Sequence, residues 1–155
     1  EMLGFIKVAL DTCMRKSEIL NTTVSEVRRH RDGLVIHKAK TKNGSPREIF
    51  LSEIAGEIVE KLSYDKSPGQ RLFTIRETQV DYLWRRAKRI AGCDDLRIHD
   101  LRHEAISRFA DGGMSMGGLA AMSGHKTSQM LLRYINIKEC VAREIIRSHG
   151  INSAA

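Results

Sequence analysis

The sequence predicts an α+β domain, mostly helical, with one small three-stranded antiparallel sheet. Two observations carry this. Asp32-Gly33 and Asn43-Gly44 punctuate short extended runs between residues 23 and 51, and both dipeptides suit the positive φ of hairpin turns. The rest of the chain repeats apolar residues at intervals of three and four, the period of amphipathic helices.

Residues 2–12 read as a helix leading into "TCMRKSEIL" (12–20), and the runs "TVSEVRRH", "LVIHKAKT" and "REIFLS" read as the three strands. Ser52 is a suitable cap for a helix over 53–63, with Ile54, Ile58 and Leu62 on one face. "SYDKSPGQ" reads as a loop and "RLFT" as a short extended piece. Residues 77–91 place Val80, Leu83, Trp84, Ala87 and Ala91 on one stripe, so Trp84 is expected in the core. A helix from near His99 stops at Gly112 and Gly113, and shorter helices follow at 115–123, Thr127–Tyr134 and Ile137–His149.

The chain's 155 residues suit one domain with a real core. It opens inside an apolar helical pattern, "EMLGFIKVALDT", and is therefore expected to be a fragment lacking amino-terminal domains. Neither a membrane-spanning run nor a signal segment is visible. Cys13, Cys93 and Cys140 show no metal-site spacing, which fits a reducing cytoplasm. The net charge of +7 comes with basic clusters at Arg28–Arg31, His37–Lys42 and Arg85–Arg89, pointing to a polyanionic partner. With 5% aromatic residues, a base-stacking single-strand binder is disfavoured and a duplex backbone is the better fit.

"RIHDLRHEAIS" is the most informative segment. On a helix, His99 and Arg102 share a face, with His103 four residues after His99. A His beside an Arg suggests an anion site with a proton-transfer group; alone, the cluster also reads as a solvated surface. Arg15 has Glu18 one turn later, and Lys42 stands at a hairpin tip. "GHKTSQMLLRY" (124–134) joins His125 to Tyr134.

Taken in order, Arg15, Lys42, His99, Arg102, His125 and Tyr134 resemble the catalytic domain of the tyrosine recombinases, the phage integrase family. "TCMRKSEIL" is similar to the first arginine box, with Cys13 where Gly is often found. "TKNGSPREIFL" is similar to the lysine hairpin, with Phe50 where Pro is frequent. "HDLRH" resembles the His-x-x-Arg box, and "SGHKTSQMLLRY" resembles the Gly-His box leading to the nucleophile, with Ser for the usual Leu. The likeness covers nearly the whole chain and implies a DNA breaking-rejoining fold, with residues 1–155 as a catalytic domain.

The chemistry implied needs these side chains. Two guanidinium forks, Arg15 and Arg102, would stabilise a pentacovalent phosphate. Tyr134 would be the nucleophile, giving a 3′-phosphotyrosine intermediate. A free Tyr has a pKa of about 10, so only about one in a thousand is ionised at neutral pH and a base must help. His99 is the candidate base, and Lys42 is the implied acid for the 5′ oxygen. Lys40 is the rival acid; the spacing from Lys42 to Arg47 matches the family hairpin better. His125 would donate to the phosphate, Glu18 would support Arg15 or a catalytic His, and His103 is left as structural. The resemblance implies no cofactor, metal or ATP. It implies double-stranded DNA as partner and self-association into a tetramer on DNA, with a terminal helix carrying Ile137, Val141 and Ile145 that reads equally as docking on a neighbouring protomer or as packing on its own domain. It also implies a cytoplasmic, nucleoid-associated enzyme of bacterial or phage origin. Type IB topoisomerase chemistry and an inactive DNA-binding module are the alternatives. Tyr134 is expected on a mobile segment rather than as a rigid core aromatic.

Overall fold

A computed structural model describes residues 1–39 and 46–134 of the chain. Within these, the elements run α1 (Met2–Thr12), α2 (Lys16–Leu20), β1 (Val27–His30), β2 (Gly33–Lys38), β3 (Arg47–Phe50), α3 (Glu53–Ser63), α4 (Glu77–Ile90), α5 (Asp100–Asp111), α6 (Met116–Ser123) and α7 (Gln129–Leu132). The strands form one antiparallel meander in the order β1-β2-β3. Val35 and Ile36 of β2 face Arg28 and Val27 on one side and Phe50 and Ile49 on the other. The expected α+β architecture is the one found. Lys40, Lys42 and the terminal segment 137–149 lie outside the described residues.

Apolar burial organises the elements around α1, which packs against α2, α3 and α5. Phe5, Val8, Ala9, Ile36, Ile49, Val59, Leu72 and Phe73 join one buried cluster, in which the Phe5 and Phe73 rings meet edge-on at 5.9 Å. A second cluster holds Cys13, Ala105, Ile106, Leu119, Leu131 and Tyr134. The two clusters flank the end of α1, so whatever leaves that end is held from both sides. Caps fix where helices start. Ser52 Oγ accepts from the Ala55 N–H at 3.3 Å to begin α3, and Ser115 Oγ accepts from the Gly118 N–H at 3.1 Å to begin α6.

The structure corrects the sequence reading in four places. Thr23 makes only an isolated bridge to Arg71, Val24–Glu26 wind into a 3-10 turn, and β1 starts at Val27. That turn is closed by Glu26, whose carboxylate accepts from the Thr23 N–H at 2.9 Å. On α3, Ile58 and Leu62 pack on the first cluster as expected, but the buried residues are Ala55, Gly56 and Val59, and Ile54 is 61% exposed. Of the apolar stripe on α4 only Val80 is buried. Trp84 is half-buried outside both clusters and donates its indole N–H to the Leu96 carbonyl at 3.3 Å. The first half of α4 is instead tied by charge, with Lys16 Nζ at 2.9 Å from Glu77 and 2.8 Å from Asp81. The helix expected at Thr127–Tyr134 is the four-residue α7.

Ile49 is fully buried whereas Phe50, next along β3, is half exposed. Ile49→Ala is expected to destabilise the fold by about 2–5 kcal/mol and Phe50→Ala by well under about 2 kcal/mol, measured by denaturant unfolding.

Candidate active site

Arg102 lies in the first turn of α5 with its side chain turned inward, and it is 4% exposed. A buried guanidinium must satisfy its donors. Nη1 donates to the Cys13 carbonyl, and Nη2 donates to the Ser123 carbonyl at 2.8 Å and reaches His125 Nε2 at 3.4 Å. The backbone is shaped to offer those oxygens. Cys13 ends α1 in the left-handed region at φ 53, a costly conformation for a side-chain-bearing residue. Gly124 ends α6 at φ 71, where glycine carries no such cost. Burial, then the neighbouring charge of Arg15, lowers the Arg102 pKa to about 10. It stays charged at neutral pH.

Arg15 follows the Cys13 turn at the start of α2 and is half-buried. Glu18, one turn on, holds it twice: Oε2 accepts from the Arg15 N–H at 2.9 Å and Oε1 from Nη1 at 3.4 Å. Glu18 Oε2 also accepts from Arg47 Nη2 at 2.8 Å. Burial pushes the Glu18 carboxyl up, but the hydrogen bonds from Arg47 and Arg15 outweigh it and leave the pKa below the ordinary value. Glu18 is therefore an ionised brace between Arg15 and Arg47.

His125 sits just after Gly124, half-buried. Its tautomer follows from its partners. Ser123 Oγ donates its one proton to the Leu119 carbonyl at 2.6 Å, so at 2.7 Å it accepts from His125 Nδ1–H. Nε2 is then the lone-pair nitrogen that receives Arg102 Nη2. Burial, followed by the charges of Arg102 and Arg15, lowers the His125 pKa to about 4. At neutral pH the ring is neutral and its site-facing nitrogen is an acceptor.

Tyr134 is 9% exposed and packed in the second cluster, which corrects the expectation that it stands apart from the core. The reason is local: α7 is anchored by the fully buried Leu131, three residues earlier on the same face. The Tyr134 hydroxyl hydrogen-bonds His103 Nδ1, with the rings stacked at 5.7 Å between centroids. His99 meets His103 edge-on at 4.8 Å. Burial first lowers the pKa of both imidazoles; for His103 the next cause is Arg133, and for His99 it is His103. The hydroxyl is thus held by His103, which the sequence reading set aside, while His99, the expected base, stands behind it as the α5 cap.

Arg15, Glu18, Arg102, His125 and Tyr134 thus gather around the ends of α1, α5 and α6. His103 and Arg47 join them. His103 carried a readable signal, since it directly follows Arg102 and lies one turn after His99. Arg47 entered the sequence reading only as a spacing marker, because nothing local tells that a strand-opening Arg turns inward.

The sequence matches the model of the phage integrase family over residues 1–139. The chain belongs to that family. This integrase-family chain is 35% identical over 133 residues to a shufflon-specific DNA recombinase of Escherichia coli, covering 84% of the chain and 33% of that protein. It thus spans about a third of the length of that relative. Among solved structures, the catalytic domain of bacteriophage HP1 integrase superposes with a TM-score of 0.72 at 23% identity, covering 98% of the chain and 84% of that domain. A pre-cleavage complex of XerH recombinase bound to difH substrate superposes with a TM-score of 0.68 at 17% identity, covering 93% of the chain and 45% of that protein. Both structures share the fold of the integrase-family chain.

The depressed histidines make stability pH-dependent. An imidazole with a folded pKa below its unfolded value of about 6.5 binds its proton more readily in the unfolded chain. The stability is complete above that value and is lost progressively as pH falls toward about 4, the folded value for His125. The midpoint of thermal unfolding is expected to fall across this window, and less steeply in His125→Gln, measured by circular dichroism against pH.

Proposed function

We propose that this chain is the catalytic unit of a site-specific DNA recombinase that cuts and rejoins duplex DNA through a phosphotyrosine link. One observation carries the reading: Arg102 binds both the Cys13 carbonyl and the His125 turn, while the next residue, His103, holds the Tyr134 hydroxyl. Cations and a nucleophile distant in sequence thus meet at one place. Family membership supports the same reading, as does the DNA bound in the XerH complex.

In the proposed reaction a DNA phosphate enters beside Arg15 and Arg102, whose forks neutralise its non-bridging oxygens. Tyr134 Oη attacks phosphorus, forming the phosphotyrosyl bond as the bond to the 5′ oxygen breaks. The Tyr134 proton passes to an imidazole. In this scheme His103, whose Nδ1 hydrogen-bonds the Tyr134 hydroxyl, is the proton acceptor, and its lowered pKa favours the unprotonated ring that the role requires. His99, implied by the resemblance, takes that role only where Tyr134 leaves His103. The 5′ oxygen takes a proton from Lys42, or from its rival Lys40, and the reverse attack of a 5′ hydroxyl reseals the strand. The bond energy is retained, so neither ATP nor metal enters this scheme. Self-association into a tetramer on duplex DNA belongs to the same proposal, as does the assignment of residues 1–155 to the catalytic domain of a cytoplasmic, nucleoid-associated protein.

The test is a covalent adduct. Nicked duplexes of randomised sequence are incubated with the chain and detergent-resistant complexes are isolated. The wild type is expected to yield adducts and Tyr134→Phe none; adducts that persist in Tyr134→Phe overturn the nucleophile. On the selected duplex, His103→Gln is expected to slow adduct formation by about a hundredfold, and more than His99→Gln does. The opposite order returns the base role to His99.

His125 yields a separate prediction. To donate to a phosphate, Nε2 must carry a proton it lacks in the free chain; while Nδ1–H stays on Ser123 Oγ, whose own proton is held by the Leu119 carbonyl, that proton comes from solvent and binding takes it up. A group whose pKa rises on binding makes binding tighter at lower pH. Affinity for the selected duplex is expected to weaken as pH rises from about 5 to 8, and His125→Gln is expected to flatten that dependence, measured by fluorescence anisotropy.

A further inference from the structure

We infer that Arg47, the first residue of β3, is a positioning residue for the proposed strand cleavage, setting Arg15 through Glu18 and His125 through the Gly124 turn. The inference rests on the functional reading above.

Arg47 is buried, and its Nη2 donates to Glu18 Oε2 at 2.8 Å, the same oxygen that accepts from the Arg15 N–H. The Glu18 carboxylate therefore stands between two guanidiniums, and its orientation depends on both. On its other side the Arg47 fork presses on α6. A Cβ placed on Gly124 would stand 2.6 Å from Arg47 Nη1 and 3.1 Å from Cζ. Only a bare Cα admits the guanidinium so closely, and the left-handed φ of 71° at this residue aims the chain into His125.

The arrangement is a poor one for stability alone. Arg47 Nε and Nη1 are buried without a hydrogen-bond partner among the described residues, and unsatisfied interior donors carry a desolvation cost. An apolar side chain of similar volume on β3 would fill such a space without that cost. What the arginine adds is a rigid planar contact shared by the Glu18–Arg15 pair and the turn that carries His125. Its charge also reaches Arg102, whose depressed pKa includes an Arg47 contribution.

The test uses the full chain and the nicked duplex selected by wild-type adduct formation. Arg47→Lys keeps a charge near Glu18 but loses the planar fork; Arg47→Gln removes both the charge and the fork. Single-turnover adduct formation at saturating DNA is expected to fall about tenfold to a hundredfold, with duplex affinity within about threefold of wild type. In a His125→Gln or Glu18→Gln background, the Arg47→Lys effect is expected to shrink to about twofold, because the residues act as one unit. A purely structural defect would instead multiply with those substitutions. Should Arg47→Gln fail to fold, the Arg47→Lys series decides alone. Adduct formation by Arg47→Lys at the wild-type rate, or losses that multiply across the double variants, overturns the assignment while leaving the functional reading intact. Absence of any wild-type adduct overturns that reading and this inference with it.

Discussion

The buried guanidinium of Arg102 binds the carbonyls at the ends of two helices, and the geometry of the site follows from that contact. Burying a cation without partners would be prohibitive, so the backbone must bring oxygens to it. Cys13 and Gly124, bordering those carbonyls, both adopt left-handed conformations. The first turn aims Arg15 into the site and the second delivers His125. The two apolar clusters on either side hold the ends of α1, α5 and α6 in place while the strained turn at Cys13 persists.

Charge density is the second consequence. Arg15, Arg47 and Arg102 crowd together with Glu18 as the carboxylate that bonds two of them. Burial with the charges of Arg102 and Arg15 keeps His125 neutral, and burial with those of Arg15 and Arg47 lowers the Arg102 pKa. Such a pocket favours an incoming anion, because an anion relieves repulsion that is already present in the free chain. Under the proposed function the arriving phosphate supplies that relief and promotes the protonation of His125. Tyr134, meanwhile, is stacked on His103 and buried with Leu131. Its hydroxyl is oriented by packing as much as by the hydrogen bond.

Much of this was readable in advance. The hairpin signal at Asp32-Gly33, the cap at Ser52 and the glycine stops at Gly112 and Gly113 are local events, set by the φ preferences and hydrogen bonding of a few adjacent residues. They appear where expected. The misjudged elements were those in which a neighbour overrides the local pattern. Ile54 shares the helical period of the α3 core face, yet the small residues Ala55 and Gly56 take the contact. Trp84 carries the largest apolar side chain of α4 and still lies outside both clusters, since that helix is tied at its first half by Lys16.

By itself, the sequence determined the fold class, the chain's family resemblance and the chemical types gathered at the site, because residue identity and spacing encode these directly. Only the tertiary structure decided which imidazole meets the Tyr134 hydroxyl, which carbonyls bind Arg102 and that Arg47 turns inward against Gly124. These are contacts between segments 21 to 89 residues apart, such as Arg102 with Ser123 and His125, Tyr134 with His103, Arg47 with Gly124 and Arg102 with Cys13. Their geometry is fixed by how helices and strands pack, which no local pattern of residues records.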